Sequence, residues 1–293
     1  MLAIKHILFP LDFSDRCSAA APYVEAMANR FGAKVTLISV AQPFDPSGLG
    51  DPGLLVTADT GALIAELKKR LDGALVKEFS GLNALQNNVE RFADLGDPAD
   101  VITSFAHQHA VDLIMMSTHG YGTFRTLLLG SVAAKVLHDA KCPVWTAAHG
   151  ADLPSPDHVK PSVILCATDS TSRSLPLLKW AAEYSKGLSA ELRLIHVVPG
   201  MDSFPASQMN QEFELDMKKE ARDQIAKMQQ SAGIEAHLAV ESGNIAELVR
   251  EEALRHGAGL VVVGRGVLKE TLGRLRSNAY SIIRHAPCPV LSI

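Results

Sequence analysis

The chain has 293 residues, about two average domains, with a 47% hydrophobic fraction, 20% charged residues and few aromatics. That composition describes packed Ala/Val/Leu-rich globular chain and excludes disorder as the main state. With 28 basic residues against 32 acidic ones the net charge is -4, which gives no whole-chain attraction to nucleic acid or anionic lipid.

The opening residues Met1-Leu-Ala-Ile-Lys-His lack the long apolar run of a secretory signal, and no stretch approaches the ~20 apolar residues of a membrane span. A cytoplasmic location without membrane association is the expectation. The four cysteines, Cys17, Cys142, Cys166 and Cys288, form no Cys-x-x-Cys pair and read as reduced thiols in a core.

Along the chain one unit occurs twice. Ile7-Leu-Phe-Pro-Leu-Asp12 matches Ile164-Leu-Cys-Ala-Thr-Asp169 at an offset of 157 (169 minus 12), and Val35-Thr-Leu-Ile-Ser-Val40 matches Leu192-Arg-Leu-Ile-His-Val197 at the same offset. Between these strands Ala20, Val24, Met27 and Phe31 fall at helical spacing, as do Leu177, Ala181, Tyr184 and Leu188. Residues 44–60, rich in Gly, Pro and Asp, predict a surface loop that accounts for about ten extra residues in the first copy. Asp112-Leu-Ile-Met-Met116 pairs with Gly259-Leu-Val-Val-Val263, and Ala140-Lys-Cys-Pro-Val144 with Ala286-Pro-Cys-Pro-Val290. Residues 207–231 of the second copy predict a long amphipathic helix whose charges form a solvated face.

Each copy therefore reads as strand, helix, strand, helix, strand, helix, strand, loop, helix, strand. Short apolar strands without polar alternation suit a sheet covered on both faces, hence an α/β, doubly wound parallel architecture. The expected domains are residues 1–150 and 161–293, joined by a Pro-containing linker over 151–160.

In such sheets ligands sit outside the carboxyl ends of the strands. The loop after the first strand carries Asp12, by itself readable as a helix-capping acid. The fourth strand runs into Met116-Ser-Thr-His-Gly120 and on to Gly130-Ser131-Val132 at a helix start, a glycine-bearing loop of the kind that presents backbone amides to an anion.

The combination resembles the universal stress protein family, marked by Gly-x2-Gly-x9-Gly-(Ser/Thr), a helix and a Cys-Pro-Val strand. Gly120, nine intervening residues, Gly130 and Ser131 fit it, with Ser117 at the first glycine position and Cys142-Pro-Val144 following. The resemblance runs through nearly the whole chain twice and implies two tandem Rossmann-like, adenine nucleotide α-hydrolase-like domains, each with a five-stranded parallel sheet.

What the resemblance implies for function is an ATP pocket, with ADP or AMP as alternatives and Mg2+ carried by the phosphates, not by the protein. In the first copy Pro10, Asp12 and Val40 would meet adenine and ribose. Ser117, Gly120, Gly130 and Ser131 would cradle phosphate, with Met116 and Val132 lining the pocket. The corresponding positions of the second copy are Asp169, Val197, Gly264, Gly266, Arg276 and Ser277, and there arginine replaces the third glycine. Arg276 either fills that pocket or pairs with a phosphate; blockage is the favoured reading.

No phosphate-loop motif and no catalytic residue set emerges, so slow ATP hydrolysis is the most an enzyme reading supports. His119, beside the phosphate loop, is the one charged helper there and otherwise a solvent-facing histidine. His107 and His109 sit two apart on a predicted helix and face different ways, and His196 shows no evident partner, so no protein-held metal is expected. The basic group Lys269, Arg274, Arg276 and Arg284 reads as a helix face or as an anion attractor. The family further implies pairing of the two domains through their last strands, 144–147 with 290–293, and a possible homodimer. A nucleotide-independent scaffold, or a binder of another small ligand, is the third function class.

Overall fold

The computed structural model describes residues 4–42, 60–77, 88–118, 129–148, 160–200, 211–265 and 275–293; the side chains of residues 211 and 275–277 lie outside that description. Two expected features fall outside it too: the loop over 44–60, except for Thr60, which opens a helix, and the linker over 151–160, except for Lys160. The chain divides into two compact units, the first drawn mainly from residues 4–144 and the second mainly from Trp145–Ile293.

In the first unit the elements run β1 (His6–Pro10), α1 (Asp15–Phe31), β2 (Lys34–Ala41), α2 (Thr60–Lys77), β3 (Val89–Leu95), α3 (Pro98–Gln108), β4 (Leu113–Met116), α4 (Ser131–Asp139) and β5 (Val144–Thr146). Their order in the sheet is β3-β2-β1-β4-β5. The second unit repeats the series as β6 (Val163–Ala167), α5 (Leu175–Leu188), β7 (Glu191–Val198), α6 (Gln211–Ala232), β8 (His237–Ser242), α7 (Ile245–Arg255), β9 (Leu260–Val263), α8 (Leu275–His285) and β10 (Val290–Ser292). Its order is β10-β9-β6-β7-β8.

Register carries the repeat down to single residues. Ile7 pairs with Val35 and Leu113, and Ile164 pairs with Leu192 and Leu260, all in parallel ladders. The reason is burial: Ile7, Leu8, Phe9, Val35, Leu37, Leu113 and Ile114 are fully inaccessible, so a one-residue slip would misplace every one of them. The helix stripes behave as their spacing predicts. Ala20, Val24 and Met27 are buried with Phe31 at the margin, and Leu177, Ala181, Tyr184 and Leu188 are all buried. The long helix of the second unit, α6, buries Ala221, Ile225 and Met228 and turns its charges outward.

Cys17, Cys166 and Cys288 are buried thiols outside any disulfide, whereas Cys142 is only half-buried. Burial pushes the Cys166 and Cys288 thiols up to about 12, which keeps them protonated and unreactive. Among the described residues no helix is long and apolar enough to cross a membrane.

One position shows the two copies solving the same problem differently. Helix α1 ends at Gly32 in the left-handed region (φ 63), with its N–H donating to the Ala28 carbonyl. The equivalent residue after α5 is Ser189, held at φ 57. A side chain in that region is strained where glycine is not. Ser189→Gly is therefore expected to stabilise the protein by about 0.5–1 kcal/mol, read as a higher denaturation midpoint with an unchanged slope.

Candidate nucleotide site

The strand order places β1 between β2 and β4, so the connections leave in opposite directions and open a crevice at the carboxyl end of β1. Beyond Pro10 the ladder continues for one residue, Leu11 N–H donating to the Ile38 carbonyl at 2.8 Å. The chain then turns into α1 through Asp12, Phe13 and Ser14.

The helix cap is Ser14, not Asp12: the Ser14 hydroxyl accepts from Cys17 N–H at 3.2 Å. Asp12 acts one step back. Its Oδ1 accepts from both Ser14 N–H at 2.9 Å and Ser14 Oγ–H at 2.7 Å, which fixes the turn and leaves an exposed carboxylate at the rim of the crevice. Phe13 takes a positive φ of 64, and the Arg70 guanidinium of α2 lies 4.0 Å above its ring. Val40 lies half-buried near the end of β2, in register with Asp94 of β3.

At the end of β4, Met116 is buried and Ser117 half-buried. Ser117 is not among the described residues with positive φ, so serine in place of the family glycine brings no backbone strain. The segment that follows, with His119 and Gly120, lies outside the described residues, but its two ends are tied together: Gly130 N–H donates to the Thr118 carbonyl at 2.9 Å. Gly130 is the N-cap of α4, at φ -58 and ψ 146, and among the described residues no side chain caps this helix. Ser131 is exposed and Val132 half-buried beside it. An N-terminus without a side-chain cap offers backbone donors and the positive end of the helix dipole to an anion. Since φ -58 is open to any residue, no unusual backbone angle requires glycine at this cap.

The second unit builds a related site with different chemistry. Asp169 Oδ1 accepts from Thr171 N–H at 2.8 Å, Thr171 Oγ–H at 2.6 Å and Ser174 Oγ–H at 2.7 Å. Partial burial opposes its charge, but these hydrogen bonds and nearby Arg173 outweigh that and hold the carboxyl below its ordinary value. Against the carboxyl ends of the strands lies a cavity of about 430 Å³ whose lining includes Asp169, Arg173, His196, Val197, Gly264 and Asn278. That volume is within the range of small-molecule sites. Arg276 and Ser277 fall in the first turn of α8 with undescribed side chains, and Gly266, Lys269 and Arg274 lie outside the described residues, so the filling expected of Arg276 is not visible. Arg284 of α8 carries a buried Nε without a hydrogen-bond partner.

His196 is the residue that sequence reasoning undervalued. Its Nδ1–H donates to the Thr168 carbonyl at 2.8 Å, which fixes the imidazole on the cavity wall between the ends of β6 and β7. Its place next to Val197, already marked by the resemblance, was the available signal. His107 and His109 have local partners instead. The Lys141 ammonium lies 3.3 Å from His107 Nε2, while His109 caps α3, stacks on Phe105 with centroids 3.9 Å apart, and donates from Nδ1 to the Phe105 carbonyl.

A doubly wound unit repeated twice, with an acid after the first strand of each copy and, in the first copy, a helix start that no described side chain caps, defines a class of tandem Rossmann-like proteins. The model of the universal stress protein family matches residues 3–147 and 162–293, and the chain belongs to that family. A universal stress protein of Thermus aquaticus is 34% identical over 142 residues, covering 48% of this chain and 96% of its own. One from Methanocaldococcus jannaschii is also 34% identical over 142 residues, covering 48% of this chain and 79% of its own. The crystal structure of a universal stress protein from Archaeoglobus fulgidus aligns over 99% of this chain and 96% of its own, with a TM-score of 0.67 at 22% identity, a likeness of fold.

The lowered Asp169 carboxyl gives a pH-dependent expectation. A group depressed in the folded state contributes stability above its ordinary value of 3.8 that is lost as pH falls through the folded value. Asp169→Ala is therefore expected to be less stable than wild type at neutral pH, with the gap closing in acid below that ordinary value, as thermal denaturation across pH would record.

Proposed function

We propose that this universal stress protein binds an adenine nucleotide, ATP or alternatively ADP or AMP, in its first domain, residues 1–150, and acts as a stress sensor or regulator. The observation that carries the reading is the helix start at Gly130, which no described side chain caps and whose N–H donates to the Thr118 carbonyl just past β4; the family's glycine pattern leads into it, and the exposed Asp12 carboxylate follows β1, the strand paired with β4. Phosphate oxygens would be held by the backbone of Gly120, Gly130 and Ser131 and by the Ser117 hydroxyl, with Mg2+ riding on the phosphates. Pro10, Asp12 and Val40 would meet adenine and ribose, and Met116 and Val132 would supply apolar walls.

The proposed mechanism is binding, not chemistry. Occupancy would give the protein two states, free and nucleotide-bound, for a partner to read. Slow hydrolysis of bound ATP is the minor alternative. The cavity at Asp169, His196 and Gly264 favours a second reading, in which residues 161–293 also hold a small ligand.

Calorimetric titration with ATP and Mg2+ tests this. Gly120→Val is expected to abolish one site while circular dichroism stays unchanged, because a branched side chain there blocks close approach of phosphate. Unchanged affinity would remove the loop from the site, and absence of binding in the wild type would favour a nucleotide-independent scaffold or another ligand.

A further inference from the structure

The second unit contains a polar cluster that the nucleotide site does not use. Arg193 of β7 is 13% exposed and makes three contacts: Nη1 donates to Glu191 Oε1 at 2.7 Å, and Nη2 lies 3.1 Å from His237 Nδ1 and 3.2 Å from His256 Nε2. Its Nε is buried without a partner among the described residues, so within that description the guanidinium is held by these three contacts. His237 opens β8 and His256 follows α7, so a single side chain ties two strands to a helix.

His256 Nε2 has a second neighbour, Glu252 Oε1 at 3.1 Å. Arginine is always a donor and an ionised carboxylate always an acceptor. A neutral imidazole nitrogen can accept from Arg193 or donate to Glu252, but not both. Protonated, it can only donate, and its charge then opposes Arg193. The Glu252 side chain is 4% exposed and its other oxygen, Oε2, is held by Arg255 at 2.6 Å, so the carboxylate stays in place as acceptor in either state.

The position of this cluster connects it to the cavity. Ile245, Val249, Glu252 and His256 succeed one another at steps of 4, 3 and 4 residues, one stripe of α7. Ile245 and Val249 line the cavity at one end of that stripe, and Glu252 and His256 reach the cluster at the other. On β7, Arg193 shares a face with Ile195 and Val197, which line the same cavity.

We propose that this cluster is a proton-operated latch: with His256 and His237 neutral, Arg193 clamps β7 to β8 and α7, and protonation hands His256 to Glu252 and releases Arg193, loosening the cavity wall. A proton added to the imidazole is the signal. The surrounding charges are Glu191 on β7, Glu235 before β8, Lys186 on α5, and Glu252 and Arg255 on α7; Glu191, Glu235, Lys186 and His237 border a common groove. The latch does not depend on which ligand the cavity takes.

The test uses the full-length 15N-labelled chain without ligand, comparing wild type and His256→Gln at about pH 7.5 and about pH 5.5, either side of histidine's ordinary range. Imidazole nitrogen spectra of the wild type should show His256 Nε2 as an unprotonated acceptor at the higher pH and as a proton donor at the lower. Amide exchange in α7, corrected for intrinsic rates, should accelerate on the order of tenfold at the lower pH, the scale of losing one buried hydrogen bond. Glutamine can accept from Arg193 and donate to Glu252 without charging, so His256→Gln should show no such acceleration. A protonated Nε2 at the higher pH, unchanged α7 exchange in the wild type, or equal acceleration in the variant would overturn the proposal. Should the variant fail to fold, the wild-type imidazole spectra and α7 exchange together decide.

Discussion

Everything in the site follows from the position of the first strand of each unit between two parallel neighbours. Ile7 lies between Val35 and Leu113, and Ile164 between Leu192 and Leu260, so the chain leaves β1 and β6 with a partner on either side and the crevice opens at their carboxyl ends. The register that builds this crevice is enforced by fully buried aliphatic residues, among them Ile7, Leu8, Leu113 and Ile164. Sheet packing thus decides where Asp12, Gly130 and Asp169 stand, although none of the three belongs to the core.

From that shared frame the two units have diverged in how they hold the acid. Asp12 fixes one residue, Ser14, which caps α1 and leaves the carboxylate exposed. Asp169 instead gathers Thr171 and Ser174, and the chain enters α5 through a short 3-10 turn at Ser172–Ser174. The second acid is the more strongly committed to its own turn. A difference of this kind lets one fold carry a ligand site in one half and a separately tuned site in the other.

The repeat made the fold legible because burial imposes periodicity: the offset that aligned Asp12 with Asp169 also aligned strand register and the α1 and α5 stripes. Helix entry was less legible. Asp and Ser are both good caps, and only the geometry shows that Ser14 does the capping while Asp12 orients it. What His196 and the Arg193 cluster touch was illegible for a different reason. Their contacts join residues far apart in sequence, such as Arg193 with His256, and no local spacing encodes such a meeting. Ser117 shows the converse: the departure from the family pattern brings no positive φ, which the sequence could not show.

The central claim is that the first unit holds a nucleotide through the turn at Asp12 and the start of α4. Its most direct test is a backbone amide chemical-shift map of the full chain as ATP with Mg2+ is added. The account predicts the largest changes at Asp12, Val40, Ser117, Gly130 and Ser131, saturating together. Changes confined to Asp169, Val197 and Gly264, with the first unit untouched, would contradict it.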